Sequence, residues 1–121
     1  MIILNKTKPE YLKTFSLKIL NTMRNTPIEL SDNNTIYKTC SIGCTYLPFD
    51  PKLPDLFTLD QVINICDFAM YRSKTNGRNR AIHIGPKESG NYSAREIKGY
   101  ILSLTEGSPI DEKYLSVEEV T

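Results

Sequence analysis

Four cationic side chains, Arg72, Lys74, Arg78 and Arg80, fall between positions 72 and 80 with no acidic residue among them. Lys74 and Arg78 are four residues apart and flank the dipeptide Asn76-Gly77. Two kinds of chemistry suit this pattern. Cations near a helix C-terminus complement the negative end of the helix dipole, and spacing alone favours that reading. A lysine and an arginine aimed at one point can instead clamp a phosphate, the ammonium as a point charge and the guanidinium as a fork. The Asn-Gly turn lets both side chains converge, since these residues tolerate the backbone conformations of a sharp reversal.

Other reactive residues read as structural. Asp67 reads as a helix-surface carboxylate pairing with Lys74 or Tyr71. The one histidine, His83, lies in an apolar run and reads as structural or solvent-facing, with no catalytic role. Cys40, Cys44 and Cys66 are odd in number and include no C-x-x-C pair. They read as buried reduced thiols of a cytoplasmic protein. There is no P-loop, no G-x-S-x-G, no H-E-x-x-H and no cluster of aspartates.

The rest of the chain must position the basic cluster. At 121 residues, with 40% hydrophobic and 24% charged residues, it suits one globular domain with a real core. A net charge of +1 leaves no global field to gather nucleic acid, so an anion site must be local. No apolar run approaches membrane-spanning length. Met1-Ile2-Ile3-Leu4 lacks the basic lead of a secretory signal and reads as a short buried strand.

Thr7 to Glu10 forms a capping box with Pro9 in the first turn, and Leu12, Phe15, Ile19 and Met23 recur at helical spacing until Pro27. Ile28 to Leu30 and a strand from Ile36 to Leu47 predict a β-hairpin around Ser31-Asp32-Asn33-Asn34. Gly43 inside that strand predicts a close approach by a neighbour or a ligand. A second capping box, Thr58 to Gln61, opens the main helix, with Leu59, Val62, Ile63, Cys66, Ala69, Met70 and Ser73 on its inner face. Gly77 closes that helix, and Arg80 to Ile84 is a strand. A third box, Ser93 to Glu96, opens a helix to about Thr105, and Tyr114 to Val120 is a final edge strand or tail. The order β-α-β-β-α-β with an α-β tail predicts an α+β fold, helices on one face of a mostly antiparallel sheet.

Three blocks taken in order, Thr39-Cys40-Ser41-Ile42-Gly43, then Cys66-Asp67-Phe68-Ala69-Met70-Tyr71-Arg72-Ser73-Lys74, then Asn76-Gly77-Arg78-Asn79-Arg80, resemble motifs of the GGDEF family of diguanylate cyclases. There they read T-x-S-I-G, A-D-x-A-M-Y-x-A-K and G-R-N. Cys66 and Ser73 stand where the family has small alanines. The resemblance covers residues 1–85, as the C-terminal part of a GGDEF domain with a ferredoxin-like, nucleotide-cyclase-like sheet, and leaves 86–121 as an α-β extension. The G-G-[DE]-E-F signature, the metal-binding aspartate region and the R-x-x-D inhibition motif are not in these residues.

The resemblance implies a family reaction. Two domains each hold one GTP, and each 3′-hydroxyl attacks the partner's α-phosphate to give cyclic di-GMP, with Mg2+ held by carboxylates. It also implies that Lys74 and Arg78 hold the triphosphate tail. The chain then reads as a truncated cyclase domain, inactive alone, keeping no catalytic residue and no metal ligand of its own. The alternative is a non-catalytic interaction module, a homodimer or a partner of an intact GGDEF domain, pairing through a sheet edge left open.

Overall fold

A computed structural model describes residues 1–121. Helix α1 runs over Pro9–Asn25, α2 over Leu59–Thr75 and α3 over Ala94–Leu102. Strands β1 (Ile28–Glu29) and β2 (Thr35–Ile36) form a small antiparallel hairpin. Strands β3 (Ser41–Cys44), β4 (Arg80–Pro86) and β5 (Leu115–Val120) form a second sheet in the order β3-β4-β5. The fold is α+β, with three helices and two small sheets.

Local chemistry explains the helix starts. Thr58 Oγ1 accepts from the Gln61 N–H, and the Gln61 side chain accepts from the Thr58 N–H, so the predicted box is complete. Ser93 accepts from the Glu96 N–H, but the Glu96 carboxylate takes its bond from the Ser93 hydroxyl and not from the Ser93 N–H, so the third predicted box forms by half. The first helix begins differently. Lys8 occupies its cap position without a side-chain bond, Pro9 follows, and the Thr7 hydroxyl bonds Asn5 O instead. A proline at the first helical position needs no N–H partner, which makes the cap dispensable.

The predicted strand from Ile36 to Leu47 is two strands with different partners. Ile36 pairs with Ile28, while Ser41–Cys44 pair with Arg80–His83 of β4. The turn between β1 and β2 is as the composition predicts: Asn33 has φ of 65° and Asp32 Oδ1 accepts from the Asn34 N–H. β3 and β4 run parallel, because the α2 crossover joins them; β4 and β5 run antiparallel. The sheet is therefore mixed rather than mostly antiparallel.

The helices do not share one face. Ala81 and His83 of β4 turn toward α1, where Leu20 packs with Ala81 and Val120 and Ser16 meets His83. Ile82 and Ile84 turn the other way, into the main core with Val62, Ile65, Phe68, Ile97 and Ile101 of α2 and α3. The cause is in β4 itself. Ala81 to Gly85 are all buried, and a strand apolar on both sides needs cover on both. α3 also changes which side of α2 is inside: Ile65 and Phe68 are buried, whereas Leu59 is exposed. Met1, Ile2 and Ile3 are 87%, 66% and 65% exposed and belong to no strand, because no strand lies beside them to accept their backbone bonds.

Gly43 answers the prediction of a close approach. A Cβ there would lie 2.8 Å from Met70 Cα and nearer still to Met70 N and Cys66 O, so α2 crosses β3 with backbone almost on backbone. The Cys66 thiol donates to Gly43 O at 3.0 Å.

Candidate functional site: the exit from α2 into β4

The basic cluster lies at a helix end built by its own residues. The Asn76 N–H bonds Arg72 O, and the Arg78 N–H returns to Ser73 O at 3.0 Å, the wide loop of a Schellman ending. Gly77 has φ of 121°, where a side chain is strained. Arg78 and Asn79 follow at 63° and 51°. Two consecutive side-chain-bearing residues in the left-handed region cost on the order of 1–2 kcal/mol each and persist only when neighbours hold them.

The neighbours do hold them. Arg24, from the last turn of α1, donates through Nε to Asn79 Oδ1 at 2.7 Å and through Nη2 to Asn79 O at 3.1 Å. Its Nη2 also reaches Thr121 O at 2.8 Å. Arg80 Nε donates to Arg78 O at 2.9 Å, and Arg80 Nη1 pairs with Glu119 at 2.6 Å. The Ser73 hydroxyl closes the turn on Arg80 O at 2.6 Å.

This accounting sorts the cations. Arg80 is spent on Glu119 and the turn. Arg72 lies over the Phe68 ring, 5.9 Å from its centroid. Lys74 and Arg78 are exposed, and neither side chain takes part in a hydrogen bond or ion pair. Asp67 pairs with neither Lys74 nor Tyr71; it is exposed, and lies in the groove between α2 and the segment after α3. The exit offers two free cations on a fixed turn, a geometry suited to a polyanion. Magnesium does not fit it: the carboxylate at the exit, Glu119, is bound by Arg80.

A second polar cluster escaped the sequence reading. Cys44, His83 and Glu118 stand in one row across β3, β4 and β5. Ser16 of α1 covers the row, its Oγ 3.0 Å from His83 Nε2 and 3.6 Å from Cys44 Sγ. Burial holds the His83 imidazole below its ordinary pKa, assisted by Lys13 and opposed by Glu118. Burial likewise raises the Cys44 thiol, against the Ser16 hydrogen bond. Ser16 and His83 are 2% and 3% exposed, so no substrate reaches this pair, and it is no hydrolase dyad. Its signal was faint, a lone polar residue in the apolar run from Ala81 to Gly85, because its partner is far away in sequence.

Comparison with protein-family models, with curated proteins and with solved structures finds no match to this chain. No helix is long and apolar enough to cross a membrane.

Proposed function

We propose that this chain is a piece of a GGDEF-type diguanylate cyclase domain that does not condense GTP by itself and keeps the phosphate-holding part of the site. Lys74 and Arg78 bind the phosphate tail of a guanosine nucleotide. The observation that carries this reading is the exit turn. Three consecutive positive-φ residues, Gly77 to Asn79, are held by Arg24 and Arg80, while Lys74 and Arg78 are left without acidic partners. Strain maintained by a built scaffold is a mark of a functional turn.

The resemblance is supported by how its three blocks meet. Gly43 of the first lies under Cys66 and Met70 of the second, and Arg80, the last residue of the third, pairs in register with Ser41 of the first. The lack of reaction follows from the absence of the signature motif and of a carboxylate free to hold a metal at the exit.

Two measurements test the reading. Incubation with GTP and Mg2+ yields no cyclic di-GMP; formation at an ordinary enzymatic rate overturns the assignment of an inactive fragment. Inorganic triphosphate binds with a Kd on the order of 1 mM, as expected for two exposed cations. Its NMR shift changes centre on residues 74–79. If Lys74→Ala with Arg78→Ala leaves that binding intact, the phosphate site is wrong.

A second reading, an interaction module, is favoured by the exposure of Met1, Ile2 and Ile3. The edge it would use is not fully open, because Cys66 bonds Gly43 O. Light scattering tests the homodimer: a monomer at high concentration counts against this reading and leaves only pairing with an intact GGDEF domain.

A further inference from the structure

Helix α1 is fastened to the sheet along one line. Near its start Lys13 pairs with Glu118 of β5. In its middle Ser16 meets His83, and Leu20 fills a small apolar site with Ala81 and Val120. At its end Arg24 grips Asn79 in the exit turn. Ser16 and Leu20 are its only buried residues. The helix is thus lightly held, and its last turn stabilises the strained backbone beside Arg78.

Ser16 Oγ lies 2.8 Å from Leu12 O, which can only accept, and 3.0 Å from His83 Nε2. With the hydroxyl proton on Leu12 O, the serine oxygen accepts from a neutral ring protonated on Nε2, which leaves Nδ1 to take up a second proton. The titratable groups around it are Lys13 of α1, Cys44 of β3 and Glu118 of β5; Tyr46, just beyond Cys44, has Glu118, Cys44 and Glu10 for neighbours. Glu118 is the carboxylate in register with His83.

We propose that α1 is a proton-operated latch on the exit turn: a proton gained at His83 Nδ1 draws Glu118 from Lys13 to the imidazolium, α1 loosens, and Arg24 releases Asn79. The exchange of partners follows from relative costs. The Lys13–Glu118 pair is half-exposed and holds weakly, whereas a buried cation without a partner is expensive. The consequence for anion binding rests on the reading of the exit proposed above; the latch does not.

The chain has one histidine, so its ring resonance is unambiguous in an NMR pH titration. The expected result is that Ser16, Arg24 and Asn79 signals shift with the midpoint of the His83 ring. Hydrogen-exchange protection in α1 falls about tenfold between about pH 7.5 and about pH 5.5, while α2 is unchanged. In His83→Gln, which keeps a donor toward Ser16 and cannot become a cation, both effects vanish. Exit signals that stay flat through the wild-type His83 titration overturn the latch, as does an unchanged response in His83→Gln. Should that variant not fold, the wild-type comparison of midpoints decides alone. Inorganic triphosphate titrated at both pH values separates the two proposals. Absence of binding at the higher pH sinks the anion site and leaves the latch standing. Triphosphate loses charge of its own at about pH 6, so the reference is His83→Gln: binding that weakens severalfold more at the lower pH in the wild type than in the variant supports the coupling, and equal weakening while α1 opens overturns it.

Discussion

Replacing Gly43 by alanine adds one methyl group where the backbone of α2 already lies. The new Cβ would fall 2.8 Å from Met70 Cα and closer to Met70 N and Cys66 O. None of these is the free end of a flexible side chain, so relief requires α2 to move off β3 by roughly 1 Å. A gap of that size forfeits a quarter to a half of the dispersion energy of each contact it opens. The contacts at risk include Ala69 and Phe68, which belong to the main core. Adding the usual cost of overpacking gives a destabilisation of roughly 3 kcal/mol. With a urea slope of about 1.5 kcal/mol per molar, the unfolding midpoint drops by about 2 M. Gly99→Ala is the matched control. Nothing lies within 4 Å of a Cβ there, and the residue is inside α3, so alanine stabilises by roughly 0.5–1 kcal/mol. If Gly43→Ala changes stability by no more than about 0.5 kcal/mol, the close crossing of α2 over β3 is wrong.

Three further outcomes follow from the same geometry. Gly77→Ala, at φ of 121°, loses roughly 1–2 kcal/mol in urea unfolding and broadens the NMR signals of Arg78 and Asn79; full stability refutes the Schellman ending. Stability depends on pH through His83: its folded pKa lies below the ordinary 6.5, so the unfolded chain takes up its proton first. Stability is then complete above about pH 6.5 and declines below it, with a slope of at most about 1.4 kcal/mol per pH unit, continuing as Glu118, held low by Lys13, is protonated. A flat urea midpoint from about pH 7 to about pH 5 contradicts this. The Cys66 thiol, pushed up to about 11 first by burial and then by Cys44 and Asp67, is alkylated by iodoacetamide at pH near 8 far more slowly than a free cysteine; reaction at the free rate denies its bond to Gly43 O.

What the sequence revealed divides by distance along the chain. The boxes at Thr58–Gln61 and Ser93–Glu96 are legible because each needs only four residues; the first closes as read, and the second forms only the bond from the Glu96 N–H to the Ser93 hydroxyl. The end of α2 is legible for the same reason, since Asn76-Gly77 dictates its own turn. Gly43 announced a close neighbour without naming it. The placement of α1 was hidden. Its apolar stripe predicts burial along Leu12, Phe15, Ile19 and Met23, but the buried residues are Ser16 and Leu20, on the adjoining side. That shift depends on Ala81, His83 and Val120, far downstream. The run Ala81-Ile82-His83-Ile84-Gly85, without polar alternation apart from His83, was the available clue that both faces of β4 would be covered. Among the basic residues, type and spacing singled out Lys74 and Arg78; the roles of Arg24, Arg80 and Glu119 depend on tertiary contacts that no local pattern encodes.

The two faces of β4 also set an order of events during synthesis. α1 emerges early from the ribosome, yet its docking partners Ala81, His83, Glu118 and Val120 are translated much later. Until β4 and then β5 are made, Leu20 lacks first Ala81 and then Val120, and its apolar site stays incomplete. The main core can form between α2 and β4 well before that, since those elements are adjacent in the chain. Of the three helices, α1 is thus translated first and completes its contacts late, and for that interval its apolar side is open to any chaperone or neighbouring chain that meets it.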